Sequence, residues 1–297
     1  MIKKPKIVIV GISGESVFLE TDHFHRSGET ITAINKVTEP GGKGYNQAVA
    51  SSVFGADVTF LTTVGNDVYG KYAISYLEDN NIKVKYRALD EIPTAYATIL
   101  TDKKGNNQVT VFSGASSYLT VKDVELIEDD IKTADYILLQ LEVAVEVVTK
   151  IMELAAKNNV KVVLNPAPAI LPSNHPIYLK ADIITPNEIE ARDIFNLPVD
   201  LDVMQYGEYL QKIISNIAVI TLGDKGCLLV SKDYYQYFEG IKVNAIDTTG
   251  AGDIFNAGLV TMLASNKTLE EAIKFALEVS SKSVTTKYVM NSIMLLK

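Results

Sequence analysis

Short apolar runs alternate with longer amphipathic segments along most of the chain. The apolar runs are continuous and rich in β-branched residues, which is typical of strands that are buried on both faces. They lie at 7–10, 58–62, 136–140, 160–164, 183–185, 218–221 and 226–230. Helical periodicity covers 46–54, 69–80, 144–158, 188–195, 204–215, 253–264 and 269–287. This alternation predicts an α/β fold, with helices on both faces of a mostly parallel central sheet.

Two segments, 16–39 and 92–112, break the alternation. Their β-like pieces lie at 17–20, 30–37, 95–101 and 108–112, the last two joined by a polar turn at 103–107. Such pieces do not suit the interior of a parallel sheet, so we expect a small antiparallel β lid over the sheet's carboxyl edge. The chain has no internal repeat and no low-complexity linker. We therefore expect one domain over 1–297, with the lid formed by these two insertions.

Composition and charge narrow the class of protein. The chain has 297 residues, of which 47% are hydrophobic and 22% charged, as in globular proteins. A net charge of -8 argues against non-specific nucleic-acid binding. The single cysteine, Cys227, excludes an internal disulfide and suits a reducing compartment. The apolar run after the N-terminus is too short for a signal peptide or a membrane span, so we expect a cytoplasmic protein.

The stretch 247–253 reads Asp-Thr-Thr-Gly-Ala-Gly-Asp and stands directly before an apolar-periodic helix. Glycines let backbone N–H groups approach an anion closely, and a helix N-terminus presents unpaired N–H groups and a partial positive charge. An anionic phosphoryl group would then lie beside Asp253, a proton acceptor. This combination indicates phosphoryl transfer to an alcohol. The alternative is a plain helix N-cap after a flexible loop.

A second glycine-rich stretch, Gly-Gly-Lys-Gly-Tyr-Asn at 41–46, opens the first long helix. Its glycines allow close backbone approach, and Lys43 and Asn46 are suited to hydrogen-bond a polyol. The spacing differs from that of a Walker A loop, and 11–14 lacks a dinucleotide fingerprint, which argues against a nicotinamide enzyme. The alternative is an ordinary helix entry with a solvated lysine.

Two further loops follow predicted strands. Asn187 and Glu190 are three residues apart on the first turn of a helix and share a face, so the pair is suited to hold a hydrated Mg²⁺. A capping box explains the same spacing. The loop at 221–226 is placed to run beside a nucleotide, although a hairpin turn explains it nearly as well.

Taken together, these motifs resemble the ribokinase, or PfkB, family of carbohydrate kinases over nearly the whole chain. The matching motifs are Gly-Gly-Lys-Gly-x-Asn-Gln-Ala at 41–48, Gln-Leu-Glu at 140–142, Asn-Pro-Ala-Pro at 165–168, Thr-Pro-Asn-Glu at 185–188, Thr-Leu-Gly at 221–223 and the 247–253 stretch. The resemblance implies a three-layer ribokinase-like sandwich with a β lid. It also implies an enzyme that transfers the γ-phosphate of ATP to a primary hydroxyl of a sugar.

The resemblance assigns roles to individual residues. It implies that Asp253 is the catalytic base and that the backbone of Gly250, Ala251 and Gly252 forms an anion hole. Since Asp253 would lie at a helix N-terminus, we expect a low pKa for it. The implied sugar-binding residues are Gly42, Lys43, Asn46 and Glu142, joined by Asp253 itself. The implied nucleotide contacts are Asn187, Thr221, Gly223 and Gly252.

The resemblance also implies metals and a partner. Glu190 matches a position linked indirectly to Mg²⁺, and Asp247 and Thr249 match ligands of a monovalent cation, usually K⁺. The 287–292 stretch lacks the glycine and later proline common around that site, which weighs against the cation. The lid matches the segment through which ribokinase-like proteins pair, so a homodimer through the lid is expected.

One departure bears on the acceptor. After the first strand the family's ribokinases carry an Asn and an Asp that grip sugar hydroxyls, whereas this chain has Gly14 and Ser16. The missing polar side chains weigh against ribose itself and leave space beside Gly14 for a larger or less hydroxylated ligand. The resemblance as a whole still implies ribose or a related pentose as the acceptor. A nucleoside kinase on the same fold is the first alternative. A catalytically inactive sugar- or nucleotide-binding regulator is the second.

Overall fold

The protein is described here from a computed structural model, which covers residues 4–103, 106–198 and 201–297. The centre of the turn expected at 103–107 lies outside the described residues. A nine-stranded sheet runs through the middle of the molecule in the order β13-β12-β11-β10-β9-β8-β1-β4-β5. Its strands are β1 (Lys6–Val10), β4 (Asp57–Gly65), β5 (Lys83–Leu89), β8 (Tyr136–Leu139), β9 (Lys161–Leu164), β10 (Ile183–Ile184), β11 (Ile217–Thr221), β12 (Gly226–Val230) and β13 (Tyr235–Glu239). All neighbours pair in parallel except at β12 and β13.

Helices cover both faces of this sheet, because alternate strand residues point to opposite sides. Ile7 and Ile9 belong to one hydrophobic core, and Val8 and Val10 to the other. The helices are α1 (Lys43–Val53), α2 (Val68–Asp79), α3 (Glu128–Thr133), α4 (Val145–Lys157), α5 (Ile177–Lys180), α6 (Glu188–Phe195), α7 (Val203–Leu210), α8 (Ala251–Ala264), α9 (Leu269–Ser283) and α10 (Val289–Met294). This arrangement confirms the predicted three-layer α/β fold.

The strand order fixes where a ligand site belongs. From β1 the chain builds outward through β4 and β5, then returns to the other side of β1 and builds through β8 to β11. The direction reverses between β1 and β8. In open α/β sheets ligands bind beyond the carboxyl ends of the strands at such a point. Gly14 follows β1 and Glu142 follows β8, so the fold brings both segments to this edge.

The lid is a separate four-stranded sheet in the order β3-β2-β6-β7. Its strands are β2 (Gly14–Glu20), β3 (Asn35–Gly41), β6 (Ala95–Thr101) and β7 (Asn107–Phe112). The two outer pairs are antiparallel, as expected, but the central pair of β2 with β6 is parallel. The central pair is parallel because each strand follows a strand of the main sheet and leaves the same edge in the same direction.

The differences from the predicted elements have physical causes. The pattern missed β5 and β13, the two edge strands, which carry polar and charged residues that protect exposed edges. The helix expected at 269–287 stops at Ser283, and a second helix, α10, follows. The break falls before Tyr288, which has φ +69°. The helix expected at 204–215 ends at Leu210, and the strand expected at 30–37 lies at Asn35–Gly41.

Among the described residues, no helix is both long and apolar enough to cross a membrane.

Candidate active site

A cavity of about 120 Å³ opens at the carboxyl edge of the main sheet, where the predicted motifs meet. Loops after β9, β10 and β11, the start of α1 and the start of α8 form its walls. The predicted residues on its lining are Lys43, Asn187, Glu190, Thr221, Gly250, Gly252 and Asp253. The lining also includes Asn165, Thr185 and Asn256, which the sequence analysis did not assign. Residues from several loops between 165 and 256 thus come together with Lys43 in space.

The start of α8 presents backbone to this cavity. Gly250 is the N-cap with φ 75°, a left-handed conformation that favours glycine, and a Cβ on it would lie 2.7 Å from the Val289 side chain. A Cβ on Gly252 would meet nothing within 4 Å, so Gly252 faces open space. Ala251 N–H donates to the Thr248 carbonyl at 3.3 Å, a long bond. The first turn of the helix has no side-chain cap, which leaves its N–H groups other than that of Ala251 available to an anion.

Asp253 is buried in the first turn of α8, and two side-chain amides hold its carboxylate. Asn46 Nδ2 donates to Oδ2 at 2.8 Å and Gln47 Nε2 donates to Oδ1 at 3.1 Å. Burial raises the pKa of Asp253, while Lys43 and the two amides act in the opposite direction. The expectation of a low pKa is therefore wrong, because loss of hydration outweighs the helix terminus.

Lys43 and Glu142 form the opposite side of the site. Glu142 Oε2 accepts the backbone N–H of Lys43 at 2.9 Å, which ties the loop after β8 to the start of α1. Burial raises the pKa of Glu142 to about 7, against the lowering effect of Lys43. The negative charge of Asp253 raises the pKa of Lys43. The site therefore holds one ammonium group between carboxylates.

Asn187 and Glu190 cap the start of α6 reciprocally. Asn187 Oδ1 accepts from Glu190 N at 2.9 Å, and Glu190 Oε2 accepts from Asn187 N at 2.8 Å. This is the capping box that the sequence left open, and Glu190 also lines the cavity. Burial raises the pKa of Glu190, while the Asn187 N–H and Lys43 lower it. Thr221 lines the cavity, whereas Gly223 is exposed beyond it with φ +62°.

The region around Gly14 differs from the expectation of free space. A Cβ on Gly14 would lie 2.6 Å from the backbone oxygen of Ala95, its partner on β6. Ser16 Oγ lies 2.5 Å from the position of a Cβ on Gly41. Strand β6 thus fills the space at a Gly14 Cβ, and the prediction of a void beside Gly14 is wrong. Gly42, with φ +119°, makes a similar close approach to Ile12.

Asp247 and Thr249 lie outside this first cavity. They line a second one of about 300 Å³ between the lid and the body. Asp247 Oδ1 accepts from Thr249 N and Oδ2 accepts from Tyr288 N, both at 3.0 Å. Asp247 thus braces the turn that leads to Gly250, with both carboxylate oxygens bonded to backbone.

A latch of Glu20, Lys287 and Tyr288 joins the lid to the body beside this second cavity. Lys287 Nζ pairs with Glu20 Oε1 at 2.7 Å, and the Tyr288 hydroxyl lies 3.3 Å from the same oxygen. The Tyr288 ring also packs edge-to-face on Phe18 with centroids 5.4 Å apart.

Glu39 provides a second link from the lid. Its carboxylate accepts N–H groups from the first turn of α10, with Val289 N at 3.0 Å from Oε2. Burial raises the pKa of Glu39, although these backbone bonds oppose the shift. Val289 is the residue that packs against Gly250, so one buried carboxylate connects lid strand β3 with the start of α8 through a single helix turn.

Sequence reasoning missed the buried polar residues behind Asp253. Gln47, Gln140, Asn165 and Asn256 are 8% exposed or less. The signal was present, since Gln47 and Gln140 lie in the matched motifs but received no role. A buried glutamine at the end of an apolar strand, as Gln140 is, needs a hydrogen-bond partner.

Comparisons with known proteins agree with this geometry. The family model for pfkB family carbohydrate kinases matches residues 4–294. The chain is 37% identical to the ribokinase of Haemophilus influenzae, over 98% of this chain and 95% of that protein. It is 32% identical to the deoxyribokinase of Salmonella typhi, over 96% and 94%. The ribokinase of Arabidopsis thaliana, solved with ribose and ATP, superimposes with a TM-score of 0.85 at 25% identity and 99% coverage of both chains. The chain therefore belongs to the pfkB family of carbohydrate kinases and is an ATP-dependent sugar kinase.

Proposed function

We propose that this enzyme transfers the γ-phosphate of ATP to a primary hydroxyl of ribose or a related pentose. The observation that carries the proposal is one cavity that holds a buried carboxylate, Asp253, an ammonium group, Lys43, and the uncapped N-terminus of α8. A base, a cation and an anion-binding helix end are the parts that phosphoryl transfer to an alcohol requires.

In the proposed reaction Asp253 removes the proton of the sugar hydroxyl. The hydroxyl oxygen forms the new bond to the γ-phosphorus, and the bond to the β-phosphate oxygen breaks, releasing ADP. The raised pKa makes Asp253 a stronger base than an exposed aspartate. The backbone of Gly250, Ala251 and Gly252 receives the charge of the transferring phosphoryl group. The open side of Gly252 supports this role, because a side chain there would occupy the anion's place.

The acceptor is proposed to lie between Asp253 and the lid. Asn46 Nδ2 is bonded to Asp253, and its buried Oδ1 has no hydrogen-bond partner among the described residues, so it is free to accept a sugar hydroxyl. Lys43, Glu142, Gly42 and Ser16 surround the same space. Gly14 contributes backbone alone. The filled space beside Gly14 favours a pentose over a bulkier nucleoside.

Mg²⁺ and nucleotide are proposed on the other side of Asp253. Glu190 fits a hydrated Mg²⁺, since Oε2 is used in the cap and Oε1 is not. Such an ion supplies charge neutralisation to the phosphates, with Asn187, Thr221 and Gly223 along the nucleotide. A monovalent cation at Asp247 and Thr249 fits less well, because both oxygens of Asp247 are bonded to backbone N–H groups. We assign no step to it.

Dimerisation through the lid is also proposed. Tyr96 and Phe112 are paired across β6 and β7 on the face of the lid away from Ser16, and are 38% and 52% exposed. Exposed aromatic residues on a small sheet with free edges favour association of two copies.

The deciding experiment is ADP release measured over a panel of acceptors with Mg²⁺ and ATP. The panel contains ribose, 2-deoxyribose, other pentoses, hexoses and nucleosides. We expect ribose or a close pentose to have the highest kcat/KM. Preferred turnover of a nucleoside, or no turnover despite ATP binding, would contradict the proposal and favour a nucleoside kinase or a regulator, respectively.

The variant Asp253→Asn tests whether Asp253 is the base. It preserves the shape of the side chain and removes the base, so we expect kcat to fall about 10²- to 10⁴-fold with ATP binding retained. Turnover near that of the unmodified enzyme would exclude Asp253 as the base.

A further inference from the structure

A chain of buried side-chain amides runs from the end of β8 to Asp253. Gln140 Nε2 donates to Gln47 Oε1, and Gln47 Nε2 donates to both Asp253 Oδ1 at 3.1 Å and Asn165 Oδ1 at 3.2 Å. Gln47 is 0% and Gln140 1% exposed, so water does not compete for these bonds.

The charge on Asp253 sets the direction of the whole chain. An ionised carboxylate only accepts hydrogen bonds, so the Gln47 atom that faces it must be the amide nitrogen. The Gln47 oxygen then faces Gln140, which must donate in turn. Asn165, having accepted from Gln47, directs its own nitrogen to the Thr185 carbonyl at 3.4 Å. The donors and acceptors between these side chains therefore match in this orientation of the Gln47 amide, and Gln140 Oε1 is left without a hydrogen-bond partner among the described residues.

Two glycines make room for this arrangement. A Cβ on Gly11 would lie 2.6 Å from Gln140 Oε1, and one on Gly44 would lie 2.9 Å from it. Gly44 belongs to the glycine-rich stretch that opens α1, and Gly11 follows β1. Neither glycine borders the cavity. Their small size is instead needed where Gln140 passes between β1 and α1 to reach Gln47.

We propose that Gln47 is a positioning residue for Asp253 and that Gln140 acts only through Gln47. Asn46 and Gln47 each hold one carboxylate oxygen, which fixes the plane of the carboxylate relative to the acceptor hydroxyl. Gln140 fixes the rotation of the Gln47 amide, so that its nitrogen and not its oxygen meets Asp253. The inference rests on the proposed role of Asp253 as base, and adds the residues that keep that base oriented.

The test compares Gln47→Met, Gln47→Glu and Gln140→Met. Gln47→Met removes the donor to Asp253 with little change of volume. Gln47→Glu retains the shape and the bond from Gln140 but turns an acceptor toward Asp253. We expect kcat to fall about tenfold or more in Gln47→Met, further in Gln47→Glu, with KM for the acceptor changed less than about threefold. Since a lost donor raises the pKa of Asp253, the acid limb of the kcat profile should move to higher pH by about one unit.

A double-mutant cycle tests the route from Gln140. If Gln140 acts through Gln47, Gln140→Met reduces kcat in the unmodified chain and has no further effect beside Gln47→Met. Additive losses would overturn that part of the proposal. Ser51→Ala is the matched control: Ser51 lies one turn further along α1, is 0% exposed, and its hydroxyl has no hydrogen-bond partner among the described residues. It should leave kcat and the pH profile unchanged.

A second readout does not depend on turnover. The ¹³C carboxyl resonance of Asp253, identified by its loss in Asp253→Asn, titrates in the ligand-free enzyme. Lys43 and Glu142 also act on this group, Glu190 acts on Lys43, and all three are unchanged in every variant. The midpoint should rise in Gln47→Met and most in Gln47→Glu. An unchanged midpoint in both variants would overturn the inference, whereas a shifted midpoint in an enzyme that phosphorylates no sugar would contradict the proposed function alone.

Discussion

At the scale of the residue, burial decides the chemistry of the site more than sequence position does. Asp253 stands at a helix N-terminus, where an exposed carboxylate is acidified, yet burial raises its pKa. Glu142 follows the same rule, with a pKa raised to about 7. Both groups lie against Lys43, which stays protonated between them. The sequence indicated these residues but not the degree to which each is removed from water.

Glu142 predicts a pH dependence for acceptor binding. With a raised pKa of about 7, it is an ionised hydrogen-bond acceptor above that pH and is protonated below it. We expect KM for the sugar to rise up to about tenfold between pH 8 and pH 6 at saturating Mg²⁺–ATP. Glu142→Gln should give a KM that does not change over this range.

The control for this measurement is Glu188→Gln, which removes a carboxylate on α6 that pairs with Arg192. Its KM should follow the same curve as the unmodified enzyme. A KM independent of pH in the unmodified enzyme would show that Glu142 does not bind the acceptor in its ionised form.

Much of the candidate site could be predicted from the residues alone, because short motifs carry their own local geometry. The glycines at 250 and 252, the lysine at 43 and the capping pair at 187 and 190 fall where those patterns indicate. Which atoms fill the space around these residues could not be predicted. The contact of Gly14 with Ala95 and the path of Gln140 past Gly44 depend on residues more than 70 and 90 positions away. No local pattern reports them.

At the scale of the element, the segment 287–291 is one of the connections between lid and body. It contacts β2 through the latch, β3 through Glu39, and the turn before α8 through Asp247 and Gly250. Tyr288 has φ +69° and ψ 139°, a strained conformation for a residue with a side chain. Its backbone N–H to Asp247 and its hydroxyl contact with Glu20 hold it there. Periodicity alone extended α9 through this point because the strain arises from tertiary contacts.

The latch gives a prediction about lid opening. Lys287→Met removes the ion pair with Glu20, and Tyr288→Phe removes the hydroxyl but keeps the ring on Phe18. An exposed pair contributes up to about 1 kcal/mol, so we expect lid opening to increase up to about fivefold in either variant. Hydrogen–deuterium exchange of the β2 and β6 amides measures it.

Lys103→Met is the matched control, since Lys103 pairs with Asp22 within the lid. It should change exchange near residue 103 without increasing it along β2. Equal protection of β2 in the unmodified enzyme and in both latch variants would show that the contacts do not restrain the lid.

At the scale of the whole molecule, the alternating pattern was sufficient to predict the layers but not the edges. Strands with two buried faces are mostly apolar, so the sequence pattern predicted β1, β4, β8 and β11. None of the residues of β5 is fully buried, and they include Lys83 and Arg87. The same edge is where charged pairs connect the sheet to neighbouring short helices.

One such pair predicts the behaviour of the fold in acid. Arg87 Nε donates to Asp123 at 2.7 Å, and this bond lowers the pKa of Asp123 to about 2. Because the folded pKa is depressed, the stabilisation is complete above the unfolded value near 4 and is lost as the pH falls toward 2. We expect Asp123→Asn to lower the unfolding free energy by about 1–2 kcal/mol at pH 7, measured by denaturant titration. The difference from the unmodified chain should shrink below pH 3.

Lys83→Met is the control from the same strand. Lys83 pairs with Asp130 but its side chain is 51% exposed, so we expect a change below about 0.5 kcal/mol at both pH values. If the unfolding free energy lost in Asp123→Asn were the same at pH 2.5 as at pH 7, the loss would come from packing and not from charge.

The close approach of Ala95 to Gly14 has a consequence for how acceptor preference can evolve. The nearest atom to a Cβ at position 14 is a backbone oxygen, so trimming a neighbouring side chain does not create room. A hydroxyl-binding side chain at that position requires the backbone of β6, the parallel partner of β2 in the lid, to move away. Position 16 lies beside the small Gly41 and carries a hydroxyl already. A single substitution at residue 16 can therefore alter acceptor recognition. A side chain at residue 14 can contribute only after further substitutions have moved the backbone of β6.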